Sequence, residues 1–117
     1  MNTTMYSPSQ NRTTDQYVIK EILEATPEKL LIKVYDFAIL HCQRKDFVKT
    51  NKAIQVLIDS LRFDTEEIRS VSIGLLKLYK YCQEQNRKKQ FDEAYKILTE
   101  LRKSWIQIFT TKDVSVK

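Results

Sequence analysis

Glycine is almost missing from these 117 residues: Gly74 stands alone, and proline occurs only as Pro8 and Pro27. A sandwich, barrel or doubly wound sheet needs turn glycines about every ten residues, so those folds are excluded. The same scarcity excludes a glycine-rich loop that cradles phosphate. Histidine occurs once, as His41, and there is neither a His-x-x-x-His nor a Glu-x-x-His pair. Metal centres built inside helical bundles are thereby removed. His41 precedes Cys42, but adjacent residues leave a helix in different directions, so adjacency creates no Cys–His couple. Cys42 and Cys82 are forty residues apart with no Cys-x-x-Cys spacing. They suggest neither a zinc framework nor a disulfide scaffold, and are expected as two reduced, packed thiols. No catalytic residue, metal or cofactor is expected, and the chain reads as a non-enzyme.

Long apolar runs are missing as well. Residues 30–40 come nearest, but Lys33 and Asp36 interrupt them, and the stretch is too short to span a bilayer. The opening Met1-Asn2-Thr3-Thr4 begins neither a basic n-region nor an apolar h-region, so no secretory signal is expected.

What is present suits one helical core. Hydrophobic residues make up 42% and charged residues 30%, the mix of ordinary globular domains. Residues 1–16 are polar and aperiodic, and are expected as a mobile tail. A short amphipathic stretch follows with Tyr17, Val18, Ile19, Ile22 and Leu23. Ala25-Thr26-Pro27 then starts a helix over 27–44, with Thr26 as N-cap and Pro27 at the first position, where its missing N–H costs nothing. Asp46 caps a second helix whose stripe is Phe47, Ala53 or Ile54, Leu57 and Leu61. Asp64 and Glu67 match a capping box before a third, with Ile68, Val71, Leu75, Leu78 and Cys82 spaced by threes and fours. The fourth carries Phe91, Ala94, Leu98, Leu101, Trp105 and Ile108, and 110–117 fade into a polar end. Short turns force neighbours antiparallel. The expectation is an all-α, up-down-up-down four-helix bundle over 17–109, with a short N-terminal helical segment and tail.

Two features bear on function. The formal charge is +5, and basic residues gather at Arg44, Lys45, Lys49 and Lys52 and again at Arg87, Lys88 and Lys89. An antiparallel bundle places both turns at one end, which permits an acidic partner or nucleic acid. The second feature is apolar excess. Nine of the eleven residues in 30–40 are apolar, where a bundle helix needs about three in seven. A stripe that broad requires a cover: the N-terminal segment, a second subunit or a partner helix. Ile32, Phe37, Ile39, Ile73 and Leu76 are the candidate contacts, around Tyr35 and Tyr79.

Tyr17, then Ala25-Thr26-Pro27-Glu28-Lys29-Leu30-Leu31, then Val34-Tyr35-Asp36-Phe37-Ala38 resembles the N-terminal half of the flagellin export chaperones, the FliS family. Leu78-Tyr79-Lys80-Tyr81 resembles that family's third-helix motif, and Leu101-Arg102-Lys103-Ser104-Trp105 its terminal one. The resemblance covers about residues 17–109. Phe37 stands where the family usually has glycine, and 35–61 is shorter than usual, so no residue between Leu40 and Leu61 is carried over. The resemblance implies a cytoplasmic bacterial chaperone using neither metal nor nucleotide, and the four capped stripes are expected to give a monomer or homodimer. Its partners would be flagellin's C-terminal segment and the flagellar export gate. It also implies that Tyr17 and Ile19 occupy part of the client groove.

Overall fold

A computed structural model of the chain describes residues 26–116, with side chains through Thr111. The predicted tail and the stretch holding Tyr17 and Ile19 lie outside the described residues. Four helices follow in order: α1 (Pro27–Gln43), α2 (Phe47–Asp59), α3 (Glu66–Arg87) and α4 (Phe91–Val116). No strand occurs among the described residues.

The chain divides after Leu30. In the first unit the start of α1 forms as the sequence predicts. Thr26 Oγ1 accepts the Lys29 N–H at 3.2 Å, and the Leu30 N–H reaches the Thr26 carbonyl at 2.9 Å.

The second unit is an all-α bundle whose helix directions follow from side-chain bonds. Cys42 lies beside Phe91, and Asp36 beside Arg102, so α1 and α4 are antiparallel. Tyr35 meets Tyr79 and Cys42 meets Asn86, so α1 and α3 run parallel. Asn51 pairs with Asn86, and Gln55 with Gln83, which sets α2 antiparallel to α3. The core is Tyr35, Ala38 and Cys42 from α1, Ala53, Ile54 and Leu57 from α2, Tyr79 and Cys82 from α3, and Phe91, Ala94 and Leu98 from α4.

Three turns decide the lengths. Asp46 caps α2 as predicted, its Oδ1 accepting the Lys49 N–H at 3.0 Å. The helix ends at Asp59, short of Arg62, because Ser60 caps it: its N–H bonds the Val56 carbonyl and its Oγ the Leu57 carbonyl. Thr65, not Asp64, caps α3, with its Oγ1 accepting from Ile68 N–H at 3.2 Å. The predicted capping box fails because Arg62 holds the Asp64 carboxylate at 2.7 Å.

The other two turns share one design. Beyond α1, the Lys45 N–H bonds the Cys42 carbonyl and the Asp46 N–H the His41 carbonyl. Beyond α3, Lys89 bonds Asn86 and Gln90 bonds Gln85 in the same pattern. Both are Schellman turns, which need a left-handed residue after the helix. Lysine fills that place in each, at φ 59° for Lys45 and 63° for Lys89. The fourth helix runs on to Val116, past the polar end predicted at 110, since neither glycine nor proline interrupts 92–117.

Candidate functional site

The sequence-predicted candidates separate into three groups. Tyr35 and Tyr79 are buried in the core and hydrogen-bonded to each other at 2.5 Å, with Trp105 Nε1–H donating to the Tyr35 hydroxyl at 3.1 Å. Burial pushes both hydroxyls above their ordinary pKa, Tyr35 further because Tyr79 lies against it. As placed, neither presents a surface to a partner. They are corrected to core residues, because each hydroxyl finds its bonding partner inside.

Ile32, Ile39 and Leu76 are half-buried, and Ile39 packs against the core. Phe37 and Ile73 are exposed. On α1, Ile32 and Ile39 are seven residues apart and share a side, whereas Phe37 points elsewhere, its ring 4.3 Å from that of His41. Phe37 thus screens His41, which is buried with its Nδ1 unpartnered among the described residues. The α1 candidates therefore do not form one surface.

α1 exposes Leu30, Phe37 and Leu40, and α3 exposes a second apolar set along residues the apolar spacing had assigned partly to the core. The buried face of α3 is Ser72, Tyr79, Cys82 and Asn86. Val71 is 59% exposed and Leu78 38%, although both belong to the predicted core stripe. Cys82 and Leu75 keep their predicted places, but Ser72 and Tyr79 replace Val71 and Leu78 because the polar members are satisfied within the fold. Ser72 Oγ donates to the Arg62 carbonyl at 2.5 Å, Tyr79 bonds Tyr35, and Asn86 Nδ2 donates to Asn51 Oδ1 at 3.0 Å. Buried polar groups are tolerated only when so paired.

That exchange leaves Val71, Gly74, Leu78 and Tyr81 in one exposed strip at spacings of three and four. Tyr81 is 43% exposed. Gly74 sits within the strip, and a Cβ placed there would meet nothing within 4 Å. A glycine inside a helix costs roughly 0.5–1 kcal/mol relative to alanine. No neighbour in the fold requires one here. The strip has the spacing by which one helix packs on another, with a bare backbone where a second backbone could approach closely.

The remaining chemistry is sparse. A polar hollow is lined by Asn51, Lys80, Gln83, Glu84 and Arg87. Its groups bond one another: Gln83 Nε2 donates to Asn51 O and Gln55 Oε1, and Arg87 pairs with Glu84. No nucleophile–base couple lines it. Among the described residues, no cluster of His, Cys, Asp and Glu could hold a metal ion, and no helix is long and apolar enough to cross a membrane. The fold is an all-α four-helix bundle with exposed apolar residues along α3. No protein-family model, curated protein or solved structure matches the chain.

Proposed function

We propose that this protein is a non-enzymatic, helix-binding chaperone of the bacterial cytoplasm. Its client is the C-terminal segment of flagellin, which it keeps from polymerising and passes to the flagellar export gate. The choice of client rests on the FliS resemblance. The mode of binding rests on the α3 strip, which is the single observation that carries this reading. An amphipathic client helix would lay its apolar face on Val71, Leu78 and Tyr81, with its backbone closest over Gly74.

Burying one such side chain contributes roughly 1.5–3 kcal/mol, about ten- to a hundredfold in affinity. The test compares Leu78→Asp with Lys88→Glu/Lys89→Glu, both confirmed helical, for binding flagellin's C-terminal segment from the same organism. Loss in the first and retention in the second supports a helix seat. The reverse pattern replaces it with a charge-driven adaptor.

A further inference from the structure

The bundle end opposite the 60–65 turn combines two properties that the client strip does not use. Cys42 Sγ reaches the Phe91 carbonyl at 3.2 Å, and Asn86 is bonded to Asn51, so the 44–46 and 88–90 turns lie side by side. Arg44, Lys45 and Lys49 come from one, and Arg87, Lys88 and Lys89 from the other. All six are exposed. The acids nearby are occupied or outnumbered. Asp46 caps α2, Glu84 pairs with both Arg87 and Lys88, and Asp92 and Glu93 sit in the first turn of α4. Arg44, Lys45, Lys49 and Lys89 form no ion pair among the described residues. The 60–65 turn has the opposite balance, with Asp59, Asp64, Glu66 and Glu67 against Arg62 and Arg69.

Within the basic end stands an apolar pair. Phe47 is 42% exposed and Val48 57%, at the first two positions of α2. Sequence spacing had placed Phe47 in the core, but Thr50, Ala53, Ile54 and Leu57 form the buried face of α2 and leave Phe47 outside.

We propose that this end docks the protein peripherally on an anionic bilayer surface, with the cations on lipid phosphates and Phe47 and Val48 at the headgroup–acyl boundary. Basic residues around an exposed apolar wedge are what interfacial binding requires, and each cation near such a surface strengthens attachment. Nucleic-acid phosphates would engage the cations but leave Phe47 and Val48 little to bury. A small anion would need an enclosing pocket, and these side chains are all solvent-exposed. The left-handed lysines support the assignment. Glycine would fill both Schellman positions with less strain, yet each carries a cation at the end of the bundle. No residue of the α3 strip takes part, so docking stands or falls independently of client binding.

The full chain is sedimented with vesicles of phosphatidylcholine alone and of phosphatidylcholine with about 30% phosphatidylglycerol, at about 0.05 M and about 0.5 M salt. Binding is expected only to the anionic vesicles, and only at low salt. Lys45→Gly/Lys89→Gly is the decisive variant. Relief of two left-handed lysines raises its Tm, while loss of two charges lowers vesicle partition roughly thirtyfold. Phe47→Ser weakens partition severalfold, and Arg62→Glu/Arg69→Glu at the other end leaves it unchanged. Equal binding to neutral vesicles overturns the proposal. So does binding of a mixed-sequence oligonucleotide under conditions where anionic vesicles do not bind, or undiminished partition of the double glycine variant.

Discussion

Polar side chains do much to hold the centre of this bundle. Tyr35, Tyr79 and Trp105 form one hydrogen-bonded group across α1, α3 and α4, while Asn86 and Asn51 tie α3 to α2. Tyr35→Phe strips Tyr79 and Trp105 of their shared partner, and is expected to cost about 1–3 kcal/mol in chemical denaturation. Tyr35→Phe/Tyr79→Phe removes both hydroxyls and should cost less than the two single changes added together. Additivity would show that the hydroxyls are not coupled. The buried thiols make a second prediction. Burial pushes Cys42 up to about 11, helped by Asp92, and Cys82 up to about 12, helped by Cys42. Both pKa values are raised above the ordinary thiol value of 9.0, so the stability they contribute is intact below that pH. It is lost as pH rises through 11 and 12, because the unfolded thiols ionise first. Denaturation near pH 8 and near pH 10 should show the fall, and Cys82→Ala should flatten it. An unchanged slope in that variant would remove Cys82 as a source. These residues also mark where sequence reading went astray. Apolar spacing chose Val71 and Leu78 for the core over Ser72 and Asn86, because a partner ten or thirty-five residues away is invisible to periodicity.

At the scale of elements, the helices themselves were legible. Thr26-Pro27 and Asp46 start α1 and α2 as their chemistry dictates, and the single glycine left no route to a sheet. Ends set by long-range competition were not legible. Arg62 removed Asp64 from capping duty, and Ser60 closed α2 after 13 residues. The same limit applied to the site. The breadth of apolar sequence announced uncovered surface, with Tyr81 in excess on α3, but the exposure of Val71 and Leu78 depended on the partners that Ser72, Tyr79 and Asn86 find inside the fold. Gly74 is the element-scale test of what that surface does. Gly74→Ala should stabilise the protein by about 0.5–1 kcal/mol, since the added methyl meets nothing. Gly74→Leu should remain folded at this exposed position yet weaken client affinity at least tenfold, by filling the place where the proposed client backbone would sit. If Gly74→Leu binds as tightly as the unaltered protein, close backbone approach at that position is wrong.

Across the whole molecule, two surfaces are separated by chemistry and by position. The α3 strip is apolar and insensitive to salt; the turn end is basic, and its interactions are screened within about 10 Å at 0.1 M salt. A client held by the strip should therefore remain bound at salt concentrations that release the basic end from a charged surface. The measurement that tests the central claim most directly is a residue-by-residue NMR shift map of the full chain, recorded in high salt with added flagellin C-terminal segment. The account predicts the largest changes at Val71, Gly74, Leu78 and Tyr81, with new helical structure in the segment. Changes confined to the 44–46 and 88–90 turns, or none at all, would contradict it.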